Sequence, residues 1–188
     1  MEETISSLIL ITGGARSGKS SFAEGYALTK GKKVAYIATA KAYDEEMRER
    51  IKIHQQSRPS NFITREESLY PHRVLKDEDW EEGTVFLLDC LTLLLTNHLL
   101  EGSKGDEDFS WYEKKAQDAL LYIESLLETI QKKKAPLLVV TNEVGMGLVP
   151  DNLLGRVYRD LAGKANQMLG RKAGEVWFLV SGIPQRIK

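Results

Sequence analysis

The stretch SLILITGGARSGKSSFAEGYALTK, residues 7–30, decides the fold. Its opening run, SLILIT (7–12), is short, apolar and followed by glycines, which reads as a buried strand. Its closing part, SSFAEGYALTK, reads as a helix that Gly31 can stop. Between them GGARSGKS (13–20) matches G-x-x-x-x-G-K-[ST] in the strand–loop–helix setting that this motif requires. Gly13 and Gly18 permit backbone geometries that side chains block. Successive N–H groups along Gly13, Gly14, Ala15, Arg16, Ser17, Gly18, Lys19 and Ser20 can then surround phosphate oxygens at the positive end of a helix. Lys19 is placed to reach the β- and γ-phosphates, and Ser20 to set its hydroxyl on Mg²⁺. The bland alternative is an ordinary glycine turn between strand and helix.

Outward from this loop, strand-like and helix-like segments alternate. KVAYIATA (33–40), FITRE (62–66), TVFLLDC (84–90), PLLVVTNE (136–143) and EVWFLVSGI (175–183) read as strands. DEEMRERIKIHQQS (44–57) reads as a helix with acids in its first turn, ending before Pro59. LTLLLTNHLL (91–100), the long amphipathic WYEKKAQDALLYIESLLETIQKKK (111–134) and NLLGRVYRDLAGKANQMLGRKAG (152–174) read as helices, and EGSKGDED (101–108) as a loop. The strands are apolar runs rather than alternating patterns, so both faces should be covered. The expected fold is α/β, a mostly parallel sheet flanked by helices.

The chain has 188 residues and no evident linker or repeat, which fits one domain over 1–188. A formal net charge of −1 and the lack of a basic, aromatic-rich stripe argue against nucleic acid as a partner. Cys90 is the single cysteine, which rules out an intrachain disulfide and fits a reducing compartment. MEETISS lacks the marks of a signal peptide, and no apolar run reaches the length of a membrane helix. A cytoplasmic protein is expected.

Asp89 ends the run TVFLLD, where a carboxylate can partner Mg²⁺ beside a phosphate loop. It can equally cap the helix that follows. His54 shares a helical face with Met47, Ile51 and Arg58. Neutral imidazole is a competent nucleophile, with Arg50 and Arg58 holding phosphate. On residues alone, a partly buried surface histidine is the plainer reading. Glu66 and Glu67 end a strand and can orient a ribose or a metal, or simply face water. His72 reads as loop and His98 as structural. A guanine-reading N-K-x-D is absent, which argues against a GTPase switch.

Taken together, TGGARSGKS, YIATA, R-I-x-x-H-x-x-x-R-P around His54, TNEVGMGLVP, RDLAGKANQ (159–167) and VSGIPQRIK resemble the adenosylcobinamide kinase/adenosylcobinamide-phosphate guanylyltransferase family of the cobalamin pathway. The resemblance covers essentially the whole chain. It implies a RecA-like P-loop NTPase fold, a homotrimer, and a bifunctional enzyme. Such an enzyme phosphorylates adenosylcobinamide from ATP or GTP, then transfers GMP from GTP through a guanylyl-histidine to give adenosylcobinamide-GDP. It places the nucleophile on His54 and nucleotide contacts on Gly13 to Ser20, on Ile37, Ala38 and Thr39, on His54, Gln55, Gln56 and Ser57, and on Glu66 and Asp89. Ser20 and Asp89 become the Mg²⁺ partners, and Lys19 the catalytic cation. The rival readings are another P-loop small-molecule kinase or nucleotidyltransferase, and a RecA-like ATP-driven assembly protein.

Overall fold

The computed structural model describes residues 4–41, 45, 49 and 60–188. Seven strands form one sheet: β1 (Ile5–Gly13), β2 (Val34–Ala38), β3 (Phe62–Glu66), β4 (Val85–Asp89), β5 (Leu137–Val140), β6 (Ala173–Val180) and β7 (Ile183–Arg186). Their spatial order is β3-β2-β4-β5-β1-β6-β7. Every neighbouring pair is parallel except β6 with β7, which closes the sheet as an antiparallel hairpin. Five helices are described with it: α1 (Lys19–Lys30), α2 (His72–Lys76), α3 (Leu91–Leu100), α4 (Phe109–Lys133) and α5 (Leu153–Lys172). The sheet is mostly parallel and flanked by helices, with β5 standing between the phosphate-loop strand β1 and the acid-ended strand β4.

The apolar runs explain why the sheet is covered twice. Side chains alternate across a strand, so Leu8 and Leu10 enter one core while Ile9 and Ile11 enter the other. The first core is filled by α3, α4 and α5 through Leu91, Leu95, Ile123, Leu126, Leu161 and Leu169. The second takes α1 through Ala23 and Ala27. Each fully buried leucine or isoleucine contributes about 2 kcal/mol. Helix starts follow local chemistry. Asp108 accepts from the Trp111 N–H at 2.9 Å, and Asn152 from the Gly155 N–H at 2.7 Å, each satisfying an orphan amide at its helix N-terminus.

The structure corrects the sequence expectations at several ends. β5 stops at Val140, and beyond it Thr141 and Glu143 stay tied to the end of β1 through their amides, to Ile11 O and Gly13 O. The last strand is two strands, because Ser181 and Gly182 both take positive φ and turn the chain back. His72 is not loop: it opens α2, and its Nδ1 lies 3.0 Å from the Tyr122 hydroxyl. Glu45 and Glu49 are helical, as expected for 44–57, but most of that stretch lies outside the described residues. No helix among the described residues is long and apolar enough to cross a membrane.

Candidate active site

Because β1 to β5 run parallel, their carboxyl ends open on one edge, the place where ligands bind in open α/β sheets. The pairing register aligns Glu66, Ala38, Asp89, Val140 and Ile11 in a single row across that edge. The phosphate loop begins two residues past Ile11, at Gly13. Three separate sequence candidates are thus brought to the same sheet edge as the loop by register alone.

The loop is fixed through its carbonyls. Gly13 O accepts from the Glu143 N–H, Ser17 O from Gly182 N–H and Gly18 O from Phe22 N–H, each at 3.0 Å. Gly14 O accepts from the Lys19 ammonium at 2.5 Å. Gly13 has φ 153°, and a Cβ there would meet the Leu179 carbonyl at 2.4 Å. Gly18 has φ 91° and faces Gly182 closely. These are the two positions where the loop needs glycine. Gly14, Ala15 and Arg16 form its exposed rim, while Ser17 and Lys19 are buried.

Lys19 opens α1 and points back across the loop it follows. Burial pushes its ammonium below the usual lysine value, and the nearby Cys90 and Asp89 act in the opposite direction. Asp89 therefore lies within the electrostatic reach of Lys19. Its Oδ2 accepts from the Tyr36 hydroxyl at 2.8 Å. Tyr36 packs with Ala23 and Ala27, so the Asp89 side chain faces the α1 side of the sheet. Asp89 does not cap the next helix: the cap position belongs to Cys90, without a side-chain capping bond. Ser20 and Asp89 offer hard oxygen donors of the kind that suit a cation held mainly by phosphates, which needs only one or two protein groups. No cluster of three or more His, Cys, Asp or Glu that could hold a metal by itself occurs among the described residues.

Of the β2 candidates, the Ile37 side chain is wholly in the core, so only its backbone is available to a ligand. Ala38 is partly open. Thr39 is fully buried, and its hydroxyl both donates to Cys90 O at 2.7 Å and accepts from Cys90 N–H at 2.8 Å. Glu66 is exposed at the end of β3. Glu67 instead shapes the next turn, its Oε1 accepting from the Leu69 and Tyr70 amides. His54, Gln55, Gln56 and Ser57, with Arg50 and Arg58, lie outside the described residues.

Sequence reasoning missed the polar side chains beneath this edge. Asn166 accepts from the Thr141 hydroxyl at 2.7 Å and donates to Asn142 O at 3.1 Å. This joins TNEVGMGLVP to RDLAGKANQ in space. Asn142 donates to the Thr92 hydroxyl at 2.9 Å, which also meets the Cys90 thiol. Asn97 donates to Thr39 O and to Ser68 O, both at 2.8 Å. The available signal was the polar residues Thr92, Thr96, Asn97 and His98 inside a leucine-rich helix.

Residues 9–187 match the family model described as "Cobinamide kinase / cobinamide phosphate guanyltransferase". The chain is 42% identical to a "Bifunctional adenosylcobalamin biosynthesis protein" of Escherichia coli (strain K12), over 96% of this chain and 99% of that protein. It is 41% identical to a protein of the same description from Salmonella typhimurium, again over 96% and 99%. A Pseudomonas aeruginosa protein of that description is 41% identical over 95% of this chain and 96% of its own length. Among solved structures, the RadB recombinase is similar at 18% identity and a TM-score of 0.47, covering 91% of this chain and 73% of its own. A KaiC-like protein of Pyrococcus horikoshii is similar at 13% identity and a TM-score of 0.46, covering 95% and 75%.

Proposed function

The chain belongs to the cobinamide kinase/cobinamide phosphate guanyltransferase family, and from that membership we propose that it is a bifunctional transferase of cobalamin biosynthesis. It phosphorylates adenosylcobinamide with ATP or GTP, then transfers GMP from GTP to the new phosphate. The observation that carries this reading for the chain's own residues is the alignment of a braced phosphate loop, Lys19 and Asp89 on one sheet edge.

The kinase step asks for little covalent chemistry from the protein, so positioning and charge carry it. The loop holds the polyphosphate at the N-terminus of α1. Lys19 exchanges its bond to Gly14 O for phosphate oxygens and offsets the charge that develops there. The substrate hydroxyl attacks the terminal phosphorus and the nucleoside diphosphate leaves. Magnesium, with Ser20 and Asp89 as its protein partners, would supply further positive charge to the phosphates. Tyr36 holds Asp89 at the edge for that task.

The guanylyl step attacks a different phosphorus. His54 is the proposed nucleophile: its ring nitrogen bonds to the α-phosphorus, pyrophosphate leaves, and the corrinoid phosphate then displaces histidine. Ala38, Thr39 and Glu66, together with His54 to Ser57, complete the nucleotide contacts in this reading. The whole of 1–188 acts as one catalytic unit, in a homotrimer, in the cytoplasm, with no nucleic-acid partner.

The direct test is chromatography of adenosylcobinamide incubated with the protein, Mg²⁺ and labelled nucleotide. The expected products are a corrinoid carrying the γ-phosphate, then one carrying GMP. A corrinoid that acquires neither overturns the reading.

A further inference from the structure

Asn97 lies in the second half of α3 and is 2% exposed. A primary amide is rare in such surroundings because its desolvation costs free energy unless hydrogen bonds replace water. Here the Nδ2 group donates both ways, to Thr39 O and to Ser68 O, each at 2.8 Å. Thr39 is the first residue beyond β2, and Ser68 lies two residues beyond β3. One planar nitrogen with two protons therefore ties together the exits of two neighbouring strands. Aspartate has the same shape but, ionised, only accepts, and serine carries a single donor proton.

A second contact reinforces the same place. His98, the next residue of α3, meets Leu69 O through Nε2 at 2.8 Å. The Glu67 amide in turn donates to Ala38 O at 2.9 Å, so the turn after β3 is also bound to β2. The second half of α3 thus grips the 67–69 turn and the take-off of the chain from β2. That chain leads, in sequence, from Thr39 to His54. The Asn97 amide protons go to Thr39 and Ser68, whereas the phosphate loop is braced by Glu143, Gly182 and Phe22.

We propose that Asn97 is a positioning residue for guanylyl transfer, setting the two strand exits that carry Thr39 and Glu66 while leaving the phosphate loop to itself. The inference rests on the two-step reading above. It adds that the two steps have separable supports within one site.

The test uses the full chain with Asn97→Asp and the smaller, milder Asn97→Ser. Hydrogen–deuterium exchange without nucleotide is followed in peptides covering 38–41, 66–70 and 13–20. Exchange should speed up by about tenfold or more in the first two segments, as expected when a local restraint is lost, and stay at the wild-type rate in 13–20. Guanylyl transfer should fall by roughly 10²-fold, because small displacements of reacting groups are that costly, while kinase kcat stays within about threefold. Wild-type exchange in 38–41 and 66–70 of a folded Asn97→Ser overturns the inference, as does an equal loss of both activities. Exchange needs no nucleotide, so it judges the brace even if the wild-type protein fails to transfer GMP, an outcome that would remove only the functional reading.

Discussion

At the β1 end of the carboxyl edge, eight consecutive residues form a loop held through its own backbone carbonyls. At the β2–β3 end, the exits are held by side-chain hydrogen bonds between residues 29, 51 and 58 positions apart. The two ends therefore fail differently. A cradle held by backbone amides, Glu143 and Gly182 among them, is insensitive to most side-chain substitutions at its braces and acutely sensitive to its own glycines and lysine. A brace of long-range polar bonds is spread over several elements and can lose one member while the fold stands. In the proposed two-step reading the division has a use, because the phosphate cradle would serve both reactions while the other end would serve nucleotide placement.

The largest expected effect is at the cradle. Lys19→Ala should lower both half-reactions by roughly 10²–10³-fold or more, the range seen when a charge-stabilising donor is lost. Its thermal midpoint should stay within a few degrees of wild type, since the lysine faces the loop rather than the apolar core. Turnover near wild type in either half-reaction would break the idea that both share the cradle.

Asp89→Asn comes next, between the two ends. It keeps the shape and the acceptor for Tyr36 but removes the charge. The Mg²⁺ concentration for half-maximal rate should rise about tenfold, the size of one lost charge contact of about 1.4 kcal/mol. An unchanged Mg²⁺ titration would reduce Asp89 to an anchor for Tyr36.

A smaller effect belongs to a long-range side-chain anchor on the cradle side. Glu175 on β6 accepts from the Tyr26 hydroxyl at 2.6 Å, Lys30 at 2.9 Å and the Trp177 indole at 3.2 Å, pinning α1 to the sheet. Burial pushes its carboxyl up, but these three bonds together pull it down, to about 2 from the usual 4.5. A carboxyl with a depressed folded value stabilises the fold above its unfolded value and loses that contribution as pH falls through the folded one. Glu175→Gln should therefore cost roughly 1–2 kcal/mol at neutral pH. The gap from wild type should close between about pH 4.5 and pH 2. Denaturant melts across that window check it, and a gap that widens on acidification would contradict the pinning.

The same contrast explains what could be read from the sequence. GGARSGKS was legible because all of its chemistry is contiguous, and the strands because a buried parallel sheet needs apolar runs. β7 was not, since all four of its residues are exposed and Pro184 lies among them. The five-residue α2 is too short to show a helical period. Asn97 and Thr92 looked like interruptions of an apolar helix, because their partners, Thr39, Ser68 and Asn142, are distant in sequence. Asp89 was ambiguous until the structure gave the cap position to Cys90 and the Asp89 carboxylate to Tyr36.

The central claim is that one nucleotide site runs two chemistries, only one of which passes through a covalent enzyme intermediate. It is tested most directly by incubating wild type and His54→Ala with GTP labelled at either the α- or the γ-phosphate, followed by denaturing electrophoresis. Wild type should retain the α-label and not the γ-label, and the bond should be labile in acid and stable in alkali, as a phosphorus–nitrogen bond is. His54→Ala should take no label yet still phosphorylate adenosylcobinamide. A stable α-label on His54→Ala, or a wild-type label that alkali removes and acid does not, would contradict the account.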